Sequence, residues 1–303
     1  MELTFKVAGH KLVYDISPET CPEEFFKSFR PFESDCAGEA LSRIRFVKDI
    51  SEEGTEEVFA EIDRQPGMTG VDVLSAGEGK TLFRVVMPNG YLGARLLMDS
   101  GFRNGTAALY ADGIEKYYAF TSLTVLAFSL ASARFDTLMV HSSVVSHNGK
   151  GWMFLGKSGT GKSTHSRLWL ENIKGCSLMN DDHPVIRIVD GVAYVFGSPW
   201  SGKTPCYKNV SAPIGGIVRL NQAPYNSISR LDVLRSYAAL VPSCSGISWD
   251  KASADGRNAT IERIIRTVPV WNLDCLPDAD AAFVCHDAVS KGAEGCCVDC
   301  HLL

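Results

Sequence analysis

The chain is 303 residues long, 45% apolar and 21% charged, with a formal net charge of −5. Such a length and composition suit a soluble globular protein, either one large domain or two modest ones. The charge excludes a global attraction to nucleic acid or anionic membranes, and the longest apolar stretch, Leu123–Ala133, is too short and too interrupted to span a bilayer.

The opening Met1-Glu2-Leu3-Thr4-Phe5-Lys6 lacks the charge order and apolar run of a secretory leader, so a cytoplasmic location is expected. Of the ten cysteines, Cys21, Cys36, Cys176, Cys206, Cys244, Cys275 and Cys285 are scattered without a framework spacing and are expected to be reduced. Near the end, Cys297-x-x-Cys300-His301 matches a c-type haem attachment pattern. Only Leu302 and Leu303 follow it, and an inert tail over 291–303 is the expectation.

Residues 1–112 read as a β-rich part. Leu3–Val7 and Lys11–Asp15 flank the turn Ala8-Gly9-His10, with His10 expected in solvent. Cys21–Phe32 suggests a short helix with Phe25, Phe26 and Phe29 on one face. Strand candidates follow at Glu57–Asp63, Gly70–Leu74, Thr81–Met87, Tyr91–Met98 and Ala107–Ala111. The turns between them, such as Pro88-Asn89-Gly90 and Asn104-Gly105, predict an antiparallel meander. Ile114–Arg134 is a long apolar helix, expected to be buried and to connect the two halves over 113–137.

The second half, 138–290, starts with a predicted strand over Leu138–Ser146. A turn at Asn148-Gly149 feeds the short apolar run Gly151–Leu155, so an antiparallel hairpin leads into Gly156-Lys157-Ser158-Gly159-Thr160-Gly161-Lys162-Ser163-Thr164. This stretch fits the phosphate-loop pattern G-x-x-x-x-G-K-[ST] at every fixed position. Glycines let successive backbone N–H groups turn inward around an anion. Lys162 would reach the β- and γ-phosphates, Ser163 would ligate Mg²⁺, and the helix over Ser163–Asn172 adds its positive end.

Next come a strand Ser177–Asp182 ending in paired carboxylates, a hairpin of Val185–Val189 with Val192–Phe196, and a polar loop from Gly197 to Thr204. The loop carries Lys203 and a Trp200 expected to be exposed, and is of the kind that closes over substrate. Further elements are a strand Ile214–Leu220, helices over Ile228–Leu240, Asn258–Val268 and Ala279–Ser290, and a strand Val270–Cys275. Phosphoryl transfer needs a carboxylate on the metal and a group to orient or deprotonate the acceptor hydroxyl. Asp181 and Asp182, one helix beyond the loop, suit both tasks. His141, one hairpin before it, is the third candidate.

The set His141-Ser142-Ser143, Gly156 to Ser163 and Asn180-Asp181-Asp182 resembles the catalytic domain of HPr kinase/phosphorylase and, more distantly, phosphoenolpyruvate carboxykinase. The resemblance covers about residues 138–220. Thr164 after the loop serine matches the carboxykinases, where HPr kinases carry a glutamate. What it implies is an α/β protein with a phosphoenolpyruvate carboxykinase-like nucleotide-binding core behind an N-terminal antiparallel β-rich part. It also implies an ATP-dependent kinase using Mg²⁺ or Mn²⁺, with a small-molecule or protein hydroxyl as acceptor; the charge balance and the apolar runs predict no nucleic-acid or membrane partner. By position, Ser163 and Asp182 fall on the metal and Asp181 on the acceptor hydroxyl, with the division between the two carboxylates open. Lys203, with Arg219, would stabilise the transferring phosphoryl group. Alternatives are a carboxykinase-like enzyme and a non-catalytic ATP-binding regulator. A homo-oligomeric state stays open.

Overall fold

A computed structural model describes residues 1–35, 37–63, 67–202 and 204–294. The chain divides into two compact units, Met1–Ser132 and the part from Ala133 onward, each of mixed α/β content with a large sheet. Among the described residues no helix is long and apolar enough to cross a membrane.

In the first unit β1 (Glu2–Val7) and β2 (His10–Asp15) form a hairpin closed by Ala8 and Gly9, at φ 50° and 80°. Positive φ at both central residues matches the twist of the flanking strands. Because the turn uses only these two residues, His10 starts β2 and faces inward; it is 8% exposed and meets Phe128 edge-on, which corrects the expected solvated turn histidine. A 3-10 helix (Glu23–Phe32) precedes β3 (Ser42–Phe46), β4 (Val58–Ile62), β5 (Gly70–Ser75), β6 (Thr81–Val86), β7 (Leu92–Met98) and β8 (Asn104–Leu109).

The strand order is β1-β2-β3-β8-β7-β6-β5-β4. β3 was not anticipated, since its Ser-Arg-Ile-Arg-Phe alternates arginine outward with apolar residues inward over only one short run. It pairs parallel with both β2 and β8, so the sheet is mixed rather than wholly antiparallel. The long helix α1 (Gly113–Ser132) belongs to this unit. Its Phe120 packs among Phe25, Phe26, Phe29 and Phe46.

The second unit begins with β9 (Thr137–Met139), β10 (Ser142–His147) and β11 (Lys150–Leu155), then α2 (Lys162–Asn172) and β12 (Ser177–Asp182). It continues through β13 (Val185–Val189), β14 (Val192–Phe196), β15 (Ser211–Gln222), β16 (Ser227–Arg230), α3 (Val233–Leu240), α4 (Lys251–Thr267), β17 (Val270–Cys275) and α5 (Ala279–Glu294). The sheet runs β12-β10-β11-β15-β14-β13-β9, with β17 beside β15 and β16 beside β17. β10 enters β11 antiparallel, as the hairpin predicted, whereas β15 lies parallel to β11 on its other side.

The single strand expected over Leu138–Ser146 is broken at Val140-His141. There Val140 N–H donates to Pro184 O at 3.0 Å and His141 N–H to Ser243 O at 2.7 Å, so both leave the ladder. The helix expected from Ile228 is first a strand, β16, and turns helical only after Asp232, whose carboxylate accepts from Arg235 N–H at 2.8 Å as an N-cap. α4 likewise starts earlier than expected, capped by Asp250.

The run Gly-Trp-Met-Phe-Leu of β11 is buried on both faces, as a central strand requires. Met153 and Leu155 pack with Val144, Ile217, Ile261 and Ile264. Trp152 and Phe154 point the other way, onto Trp169 of α2 and Val289 of α5. Two cores thereby clamp the strand that delivers the phosphate loop.

Candidate functional site

The loop leaves β11 at Leu155 and enters α2 at Lys162. Gly161 caps the helix at φ 101°, in the left-handed region that other residues resist. At Gly156, φ 155°, an added Cβ would stand 2.3 Å from Thr160 Oγ1, so the loop closes on itself too tightly for a side chain. Thr160 Oγ1 donates to Lys157 O at 2.7 Å. Lys157, Ser158 and Gly159 are exposed at the lip.

Lys162 is 8% exposed, and its Nζ donates to Gly156 O at 2.9 Å and Lys157 O at 3.4 Å. Burial pulls its pKa down, while Asp182 and Asp181 oppose that shift. The ammonium is thus held inside the ring of the loop, where a phosphate would supply the countercharge that backbone carbonyls only partly replace.

α2 begins beside β12, and Ser163 Oγ donates to Asp181 Oδ1 at 3.0 Å. Asp181 is 5% exposed and stands opposite Ser143 in the β10–β12 ladder. Ser143 Oγ in turn shares a buried 2.6 Å hydrogen bond with Ser166 Oγ of α2. This tie fixes how the helix sits on the strand that bears the carboxylates.

Asp182 stands opposite Ser142 and adopts φ 126°, a strained value for a residue with a side chain. Its two oxygens are divided between two imidazoles: His141 Nε2 lies 3.1 Å from Oδ1 and His183 Nδ1 lies 3.1 Å from Oδ2. Burial alone would raise the Asp182 pKa; the hydrogen bonds and charges of His141 and His183 outweigh it and hold the carboxyl well below the usual range. The break between β9 and β10 brings His141 to this position.

The loop after β14 closes over the pair. Gly202 N–H donates to Asp181 O at 2.6 Å and Ser201 Oγ to the same carbonyl at 3.1 Å. A Cβ on Gly202 would come within 3.1 Å of Asp182 Cβ, so glycine permits the close approach. Trp200, expected to be exposed, is 2% exposed. The cause is polar: Asn180 Nδ2 donates to Trp200 O at 3.0 Å and Ser198 Oγ to the same carbonyl at 2.9 Å, which turns the loop inward. Lys203 lies outside the described residues, as does the Cys297-x-x-Cys300-His301 stretch.

Arg219 is exposed on β15, opposite Leu155 in the parallel ladder, with no hydrogen-bond or ion-pair partner among the described residues. The sequence reading passed over His183 and gave Asn180, named in the Asn180-Asp181-Asp182 run, no role of its own. A visible signal existed for both, because Asn180-Asp181-Asp182-His183 is an unbroken polar run at the end of a strand.

For a divalent cation, Ser163 Oγ and Asp181 Oδ1 meet at hydrogen-bond distance and are the hard oxygen donors that Mg²⁺ prefers. Among the described residues no three His, Cys, Asp or Glu form a group able to hold a metal by themselves. A cation here would complete its shell with water and phosphate oxygens, the common arrangement in nucleotide sites.

No protein-family model matches the chain, and no curated protein matches it. Among solved structures it is similar to the Hpr(Ser) kinase/phosphatase from Coxiella burnetii, at 10% identity and a TM-score of 0.32, over 52% of this chain and 97% of that one. A likeness of that size supports no inference, and the functional reading rests on the site itself.

Proposed function

We propose that the protein is a Mg²⁺-dependent phosphotransferase of the HPr kinase-like type, moving the γ-phosphoryl group of ATP to a hydroxyl of a small molecule or a protein serine. The observation that carries this reading is the 3.0 Å hydrogen bond from Ser163 Oγ to Asp181 Oδ1. It joins the phosphate loop to the first of two adjacent carboxylates, so triphosphate and acceptor would meet at one point.

The contacts favour a division of labour opposite to the one expected from position. Asp181, on Ser163, takes the cation side, in the manner of the acidic residue that completes a phosphate-loop metal site. The cation would neutralise charge on the β- and γ-phosphate oxygens. Asp182, held between His141 and His183, faces the acceptor hydroxyl. The hydroxyl oxygen bonds to the γ-phosphorus as the bond from that phosphorus to the β,γ-bridging oxygen breaks, and ADP leaves with the electron pair.

The hydroxyl proton passes to the Asp182–His141 pair. A carboxylate held so low is a weak base on its own, but a loose phosphoryl-transfer transition state asks more for positioning than for proton removal. Lys162 and the loop N–H groups bind the phosphates, and Arg219, with no hydrogen-bond or ion-pair partner among the described residues, suits the role of charge stabiliser beside the loop.

The test is Mg²⁺-dependent ATP turnover by the full chain with pooled hydroxyl acceptors, beside Asp181→Asn and His141→Gln. Expected are an acceptor-stimulated rate, a loss of roughly 10²-fold or more in Asp181→Asn, and a smaller kcat loss in His141→Gln with KM for ATP unchanged. ATP binding with no turnover above the variants in any pool would favour a non-catalytic nucleotide sensor.

A further inference from the structure

The strand that delivers the phosphate loop has two flanks. On one lie β10 and then β12, with the reacting carboxylates; on the other lie β15 and then β17. If the γ-phosphate faces β12, which rests on the function proposed above, the rest of the nucleotide must extend over the carboxyl ends of β15 and β17. Crevices at such strand ends are where open α/β sheets take their ligands.

Three features meet there. Gln222, the last residue of β15, donates from Nε2 to Gly159 O at 3.2 Å and so ties the strand end to the lip of the loop. Next to it, Asp274 Oδ1 accepts from Asn221 Nδ2 at 3.1 Å and from Asn272 Nδ2 at 3.2 Å, while Asn221 Nδ2 also reaches Asn272 Oδ1 at 2.8 Å. The two amides fix the carboxylate by one oxygen. Its other oxygen has no partner and no cation pairs with it among the described residues.

The third feature is apolar. Tyr225, 55% exposed, and Leu276, 38% exposed, lie on the β15–β16 and β17–α5 connections. These connections are fastened together by Ala223 N–H to Cys275 O at 3.1 Å and by Leu276 N–H to Asn226 Oδ1 at 2.8 Å.

We propose that these two connections form the nucleoside half of the donor site, with Asp274 accepting hydrogen bonds from the ribose diol and Tyr225 stacking on the base. An oriented carboxylate at a strand end is the group nucleotide folds use for a ribose hydroxyl. An exposed aromatic ring offers a stacking surface to any base. The donor is accordingly a ribonucleoside triphosphate and not an inorganic polyphosphate.

The test is titration calorimetry of the full chain with Mg²⁺, using ATP, 2′-deoxyATP and inorganic tripolyphosphate as probes, on wild type, Asp274→Asn and Tyr225→Ala. Wild type is expected to bind ATP at least about tenfold tighter than tripolyphosphate. Asp274→Asn should abolish the preference for ATP over 2′-deoxyATP, and Tyr225→Ala should weaken ATP by about tenfold. Tripolyphosphate affinity should stay unchanged in both variants, which also shows that they are folded.

Equal binding of ATP and tripolyphosphate by wild type, or unchanged ATP affinity in both variants, overturns the nucleoside site and leaves the phosphate-loop reading standing. Binding of neither probe by wild type overturns both. Variant losses confined to ATP, with no phosphoryl transfer detected, uphold this site and count only against the transfer reaction.

Discussion

His165 lies one turn into the phosphate-loop helix, edge-on to Phe154, with its Nε2 accepting from Trp169 Nε1 at 3.2 Å. It is 3% exposed, and burial pushes its pKa down to about 4. The folded protein therefore keeps His165 neutral to about pH 4, while the unfolded chain protonates it near pH 6.5. Between those values the unfolded state binds more protons, so stability falls as pH drops through the window, by about 3 kcal/mol below both values. Urea unfolding at pH 7 and pH 4.5 should show this loss, and His165→Gln should remove much of the pH dependence. An identical slope in the variant would assign the acid sensitivity to other groups. At Gly156 the expectation is steric: Gly156→Ala sets a Cβ 2.3 Å from Thr160 Oγ1 and should abolish ATP binding while the circular dichroism spectrum is retained. Unchanged affinity would mean that the loop has room it does not show.

At the scale of elements, the site depends on three strands, β10, β11 and β12, and on α2 meeting in a set register. Asp250 caps α4, accepting from Ser253 N–H at 2.8 Å and from Arg134 Nη2 at 2.7 Å. Loss of both contacts in Asp250→Ala should cost about 1–2 kcal/mol, visible in the denaturation midpoint. A change within a few tenths of that energy would mean the cap contributes little. Much of this level was legible in the sequence, because periodicity and turn chemistry are local. The Asp190-Gly191 hairpin and the strand Ser177–Asp182 have the limits their residues suggest. Non-local features were not legible. The interruption that delivers His141 comes from hydrogen bonds to Pro184 and Ser243, distant in sequence, and nothing within Leu138–Ser146 announces it. The burial of Trp200 follows in the same way from Asn180 and Ser198. In the loop the glycines, Lys162 and Ser163 were readable from spacing alone, whereas the pairing of Ser163 with Asp181 and not Asp182 depends on the tertiary register of β10 against β12.

For the whole molecule, the candidate site lies entirely within the second unit, which has its own sheet and two cores. A fragment from Ala133 onward should therefore fold cooperatively and bind ATP with an affinity near that of the full chain, by thermal melting and calorimetry. A fragment that does not fold, or folds without binding, would show that the first unit is needed for more than its own structure. Under the proposed function the phosphate loop and the Asp181–Asp182 pair form one phosphoryl-transfer centre, joined by the contact of Ser163 with Asp181. This is tested most directly by incubating the full chain with Mg²⁺ and ATP labelled in the γ-phosphate, together with fractionated hydroxyl acceptors, and following the label beside Lys162→Ala and Asp181→Asn. The prediction is label on a hydroxyl-bearing acceptor with wild type and at least roughly 10²-fold less with either variant. Label that stays on ATP in every fraction, or transfers equally with the variants, would contradict it.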